Sequence, residues 1–307
     1  MSDHTTRRVL VLGATGMLGH RVCLAASAAT DVDVWATVRA DPRDARLPEQ
    51  VVDPAHLLGG LDAGDDADAV AGRLDHVLAT VEPDVVVNAI GVVKQRPDGD
   101  DPALTDAVNA RFPHLVAERA AARGASLIHL STDCVFDGRR GHYGEADPVS
   151  ATDAYGRSKA AGEPTGPGIL VLRTSMIGRE LHGAQGLLEW FLGADPPVSG
   201  FARARFSGLP TPVLATLILD LARRREPLDG LFHVAADGID KASLLSLLAQ
   251  HYRPGIEVVP LDEPVIDRTL DGRRFAAATG FVAPSWPMMV ADLAADPVPY
   301  DRWRTEW

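Results

Sequence analysis

The chain has 307 residues, 46% hydrophobic and 23% charged, with 30 Lys and Arg against 42 Asp and Glu for a net charge of −12. That length buries a core without help from disulfides or metals, and the composition excludes a disordered or fibrous chain. The acidic balance argues against nucleic-acid binding, which needs a basic face, but leaves room for a local basic pocket around one anionic ligand. Cys23 and Cys134 are the only cysteines, too few for a disulfide framework or a cysteine-rich zinc site, so no metal is expected. The opening MSDHTTRRVLVLGATG carries no signal-peptide core, and no apolar run approaches the length of a membrane span. A soluble cytoplasmic protein without a membrane partner is the expectation.

The apolar run 9–12 predicts a strand buried on both faces. A helix over 17–28 and a strand over 32–38 follow. The stretch LDAGDDADAVAGRLD is acidic, yet Ala67, Val70, Leu74 and Leu78 fall at helical spacing and predict a helix over 67–80. Strand 85–89, helix 103–123, strand 127–131, helix 154–163 and strand 169–173 continue the alternation. This rhythm implies an α/β fold, a doubly wound parallel sheet with helices on both faces. After Arg173 it breaks. Helices 184–192, 211–225 and 241–252 are separated by loops such as GADPPVSGF, with short strands 231–235 and 256–260 between them. Residues 1–175 therefore read as a nucleotide-binding domain. Residues 176–307 read as a smaller α/β substrate lobe over the carboxyl ends of the sheet, with an approximate boundary across which segments can exchange.

The first strand runs into Gly13-Ala-Thr-Gly-Met-Leu-Gly19, which opens a helix. Gly13 suits the tight turn, Gly16 the approach of backbone to a pyrophosphate, and Gly19 close packing of helix on strand. This is the context of a Rossmann dinucleotide site, with Thr15, Met17 and Leu18 completing the loop. The second strand ends in Thr37, Val38 and Arg39, with Arg43 nearby. Arg at this place suits a 2′-phosphate, which favours NADP(H) over NAD(H).

Tyr155 and Lys159 lie four apart on one helix face, after Thr132 at the end of the preceding strand. Tyr155 would serve as acid or base on a sugar oxygen, Thr132 would hydrogen-bond the same oxygen, and Lys159 would lower the Tyr pKa and bind the nicotinamide ribose.

With GATGMLG (13–19), NAIG (88–91), STDCVFDG (131–138), YGRSKAAGE (155–163) and LRTS (172–175), the chain resembles the extended short-chain dehydrogenase/reductases of nucleotide-sugar metabolism. Within them it is most similar to the dTDP-4-dehydrorhamnose reductase family. The resemblance is good over 8–180 and weak beyond. It implies NADP(H)-linked reduction of a 4-keto-6-deoxyhexose nucleotide by Thr132, Tyr155 and Lys159. It also implies cofactor contacts at Asn88, Ala89 and Gly91. An Asp after the third strand would hold the adenine, with Asp62 the better match and Asp53 the competitor. Relatives of this kind often pair, which makes a homodimer one candidate assembly.

Two positions depart from the family. Cys134 stands where the reductases carry Tyr, and Met176 where they carry Trp. The Glu that follows Thr-Asp in related dehydratases is absent, which disfavours dehydration. Cys134 is two places after Thr132, and His182 is five before Leu187-Leu188, a spacing similar to that of the GDP-fucose synthases. There such a pair moves a proton beside a ketone. An epimerase or epimerase–reductase using Cys134 and His182 is therefore the alternative reading. A non-catalytic nucleotide-binding module is the third, since fold alone does not establish activity. For the substrate, Arg205 and Arg274 are favoured over Arg203, Arg268 and Arg273 as partners of a diphosphate. Lys94, Asp133 and Met176, beside the motifs, complete the expected substrate set.

Overall fold

The computed structural model describes residues 6–93 and 101–306. The elements open with β1 (Arg7–Leu12), α1 (Gly19–Ser27), β2 (Val32–Thr37), the two-residue β3 (Leu57–Leu58), α2 (Ala67–Val81) and β4 (Val85–Asn88). Next come α3 (Pro102–Thr105), a π-helical stretch over 106–111, α4 (Phe112–Ala121), β5 (Ser126–Thr132), α5 (Ala154–Ala161) and β6 (Ile169–Thr174). Asp side chains at 66, 101 and 153 accept backbone amides at the starts of α2, α3 and α5, as good N-caps do.

The rest is β7 (Met176–Ile177), α6 (Leu187–Gly193), β8 (Val198–Phe201), β9 (Ala204–Phe206), β10 (Leu209–Pro210), α7 (Thr211–Ala222) and β11 (Gly230–His233). The chain closes with β12 (Ile239–Asp240), α8 (Lys241–Tyr252), β13 (Val258–Leu261), β14 (Ile266–Asp267), α9 (Arg273–Thr279), α10 (Trp286–Ala294) and α11 (Tyr300–Thr305).

The main sheet is parallel throughout, in the order β11-β6-β5-β4-β1-β2-β3. The chain winds outward from β1 to β3, then returns to β4 on the other side of β1. This reversal opens a crevice at the carboxyl ends of β1 and β4, where ligands of such sheets bind. Side chains of β1 alternate between two cores. Val9 and Val11 join the cluster under α1 and α7, and Leu10 and Leu12 the cluster under α2 and α4.

Two expectations need correction. The strand expected over 231–235 within the carboxyl-terminal lobe is β11, the edge strand of the main sheet, paired from Gly230 with Leu170 to His233 with Arg173. A four-residue apolar run reads alike in either place, and its partner lies sixty positions away. The helix expected over 103–123 is three pieces. Pro113 has no N–H to give, and Gly162 packs so close to the Asn109 carbonyl that a Cβ would collide with it. The bulge over 106–111 is the local response, a form that often sits at functional sites. Residues 176–267 also form the small sheets β12-β9-β14, β13-β8 and β10-β7. No helix among the described residues is long and apolar enough to cross a membrane.

Candidate active site

The glycine loop leaves β1 at Gly13, whose φ is +90°, a conformation that favours glycine. A Cβ on Gly19 would run into the Gly13 carbonyl, so helix and turn meet only with glycine there. Gly16 is exposed, Thr15 and Met17 half-buried, and the Leu18 side chain belongs to the core. α1 begins without a side-chain cap and without an acidic residue in its first turn. Open amides and a positive helix end fit a pyrophosphate.

The turn after β4 is fixed from below. Buried Asn88 accepts the Ile90 amide at 3.1 Å, and its amide nitrogen lies 3.2 Å from Nδ1 of His129. Burial depresses the His129 pKa, so that nitrogen can accept. Ala89 N–H donates to Leu12 O at 3.1 Å, which ties the turn to β1 beside the glycine loop. Asn109, on the π-bulge, accepts the amide of Val92 and donates to its carbonyl, both at 2.9 Å, and also donates to Ser158 at 3.2 Å. It thereby joins the segment after Gly91 to α5. At the far end of the crevice Arg39 lies 3.8 Å from Asp62 and is 64% exposed. Asp53 instead caps the turn at 54–56. Of the two Asp candidates, only Asp62 stands at the Arg39 end.

Thr132 ends β5. Its hydroxyl donates to Asp133 at 3.2 Å, accepts the Cys134 amide at 3.1 Å and hydrogen-bonds Tyr155. Asp153 holds α5 by accepting the Gly156 amide at 2.7 Å, and Gly156 touches the Cys134 carbonyl, where any Cβ would clash. This close approach presents Tyr155 to Thr132. Burial drives the Tyr155 pKa upward, with Cys134 and Asp133 adding to the effect, so the hydroxyl is protonated at neutral pH. Lys159 is buried and donates to the Leu130 carbonyl at 2.7 Å. Burial lowers its pKa to about 8, opposed by the charge of Glu163.

Asp133 is buried too, and burial raises its pKa. The charges of Lys241 and Arg268 and hydrogen bonds from the Cys134 thiol and Thr132 act against that rise. Lys241 starts α8 and lies 3.5 Å over the Phe206 ring, and Arg268 follows β14 and donates to Phe136 O at 2.9 Å. Each follows a strand that flanks β9, so the small sheet β12-β9-β14 carries both cations toward Asp133. Behind α5, Glu163 takes two hydrogen bonds from Arg173, at 2.8 and 2.7 Å, and one from Ser131 at 2.6 Å.

Other expected residues lie elsewhere. His182 bonds the Arg46 carbonyl at 2.8 Å, its pKa lowered by burial and by Arg46 and Arg304. It stands on the glycine-loop side of the cleft, near enough to His20 to affect its titration. Arg274 donates to Leu231 O at 2.7 Å and covers Phe232, at the amino end of β11, away from the site. A cation–π contact and a strand carbonyl account for it. Arg205 donates to Gly238 O at 3.1 Å and faces Asp267 at 3.7 Å. Met176 lies in β7, half-buried against the core. Lys94 lies outside the described residues. The sequence alone does not mark Lys241, Asn109 or Glu163 as site residues. Glu163 sat in a quoted motif, whereas nothing in linear spacing marks Lys241 or Asn109.

The fold recurs in solved structures. The dTDP-4-dehydrorhamnose reductase of Bacillus anthracis str. Ames, in complex with NADP, matches with a TM-score of 0.75 at 18% identity, covering 94% of this chain and 98% of that one. Among curated proteins, the methionine adenosyltransferase 2 subunit beta of Danio rerio is 29% identical over 272 residues, 84% of this chain and 78% of that protein. A dTDP-4-dehydrorhamnose reductase of Streptomyces griseus is 34% identical over 164 residues, so that match spans 53% of this chain and less than half, 46%, of that protein. The model of the RmlD substrate binding domain matches residues 7–296, and the chain belongs to that family.

Proposed function

We propose that the chain is an NAD(P)H-dependent reductase of a nucleotide-linked 4-keto-6-deoxyhexose. The observation that carries this reading is the Tyr155 hydroxyl bonded to Thr132 at the carboxyl end of β5, with Lys159 buried behind it. A nicotinamide cofactor, when bound, supplies the hydride for the ketone carbon. The Tyr155 proton goes to the ketone oxygen, and Thr132 holds that oxygen by hydrogen bonding. The Lys159 charge stabilises the phenolate left on Tyr155. Gly13, Gly16 and Gly19 leave the backbone room for the cofactor phosphates. Lys241 and Arg268 suit the substrate diphosphate better than Arg274 does, because their charges already act at Asp133.

Arg39 just past β2 supports NADP(H) over NAD(H), with Asp62 beside it placed to hold the adenine. Arg39→Ala should raise the KM for NADPH about tenfold and leave that for NADH unchanged, the worth of one exposed charged contact.

Two other readings have support. The name of the Danio rerio relative favours a module that serves as a subunit of another enzyme. Against it, a binding module needs neither Tyr155 nor Lys159. The epimerase–reductase reading needs His182 beside Cys134, and the engagement of His182 with Arg46 disfavours it. Product mass after incubation with 4-keto-6-deoxy nucleotide sugars and NADPH in deuterated water separates all three. Reduction alone is the expected result. Carbon-bound solvent deuterium would mean epimerisation, and no turnover with any sugar would favour the subunit.

A further inference from the structure

The carboxyl-terminal helix reaches the phosphate loop through one buried histidine. His20 follows Gly19, is fully buried, and has its pKa pushed down to about 4 by burial, so the ring is neutral. A neutral imidazole carries one proton. Nδ1 lies 2.8 Å from the Gly16 carbonyl oxygen, which can only accept, so the proton is on Nδ1. Nε2 is then the acceptor, and the Tyr300 hydroxyl of α11 donates to it at 2.8 Å. Arg21 hydrogen-bonds the same Tyr300 side chain, which leaves the hydroxyl proton to His20.

The consequence follows from peptide geometry. A trans peptide is planar, and its C=O and N–H point in opposite directions. Holding the Gly16 carbonyl inward on His20 turns the N–H of Met17 outward, on the exposed side of the loop. A second path from α11 meets the same residue. Arg304 donates to the carbonyls of Glu180 and Gly183, both at 2.8 Å. The Glu180 carboxylate accepts the amides of Gln185 at 2.8 Å and Gly186 at 3.2 Å. Gly186 rests against the terminal methyl of the Met17 side chain. One helix thus holds the Gly16 carbonyl from below, through His20, and sets a strap over 180–186 against the Met17 side chain from above.

We infer that His20 and Tyr300 are positioning residues for the phosphates of the dinucleotide, and that α11 sets cofactor affinity from outside the cleft. This rests on the dinucleotide-dependent reading above. Without the Tyr300 hydroxyl, Nε2 loses its donor and the far side of the imidazole ring loses its anchor. The ring could then turn away, and the Gly16 carbonyl would keep the His20 amide at 3.2 Å but lose the imidazole contact that helps aim the Met17 amide.

The test is the dissociation constant of NADPH and of NADH, read by cofactor fluorescence, for wild type, Tyr300→Phe and Arg304→Ala, with thermal melting alongside. Tyr300→Phe keeps the ring and loses the hydroxyl's hydrogen bonds to His20 and Arg21, so both cofactors should bind about tenfold more weakly. Cofactor KM should rise by the same factor while kcat falls less than about threefold. A lower melting temperature with unchanged cofactor affinity would mean a structural role only and would overturn the inference. If Tyr300→Phe does not fold, Arg304→Ala decides through the strap: weaker binding supports the coupling, and unchanged binding sinks it. Wild type that binds neither cofactor would remove the reductase reading itself, and this inference with it.

Discussion

The Lys159 ammonium lies 2.7 Å from the carbonyl oxygen of Leu130, two residues before Thr132 on the same strand. The cation behind Tyr155 is therefore tethered to β5. Its position does not depend on substrate, and its charge is the variable. With the pKa lowered to about 8 by burial, Lys159 is charged at pH 7 and loses its proton through the next unit or two. In the proposed mechanism, the phenolate left on Tyr155 would then lose its stabilising charge. The pH profile of kcat/KM for ketone reduction, which reports the free enzyme, should fall above about pH 8. A flat profile to pH 9.5 would detach Lys159 from the chemistry.

Tyr155→Phe removes the proposed proton donor and leaves the α5 backbone and Lys159 in place. Turnover should fall about 10³-fold, the worth of a well-placed general acid. NADPH affinity should change less than about threefold. Stopped-flow reduction and cofactor titration on one preparation would measure both.

Glu163 and Arg173 are 8% and 5% exposed in their side chains and joined by two hydrogen bonds. Glu163→Gln leaves a buried guanidinium without its counter-charge. The expected loss is about 3 kcal/mol of stability, measured by urea unfolding. Removing both partners, as Glu163→Gln with Arg173→Met, should cost less than the single change, because no uncompensated charge remains.

His20 sets the acid limit. Its folded pKa of about 4 lies below the ordinary 6.5, so between these values the unfolded chain binds a proton that the native protein does not. Stability therefore falls as pH drops from about 6.5 to about 4, by about 3 kcal/mol for this one group. His20→Gln should flatten that part of the curve, with chemical denaturation at pH 4, 5, 6 and 7 as the measurement.

Strands β1, β2, β4, β5 and β6 were legible because each is a short, largely apolar run bounded by a helix of different period, whereas the two-residue β3 gives no such signal. The glycine loop and the Tyr155–Lys159 pair were legible because their spacing is local: one turn of loop, one turn of helix. What was hidden depends on distant partners. Arg274 looks like any phosphate-binding Arg until α9 sets it on Leu231. His182 fits a linear spacing, but the strap that carries it turns toward Arg46. The site side of Lys241 appears only when β12 pairs with β9.

The place of β11 at the sheet edge also governs how the chain can be made. Ribosomal synthesis completes β6 some sixty residues before its outer neighbour exists. Until then, β6 offers an open row of hydrogen-bonding groups on an apolar strand, the kind of edge that recruits other chains. A fragment ending at residue 175 would keep that edge permanently. It should aggregate where the full chain does not, so the cofactor half cannot be lifted out as an independent module.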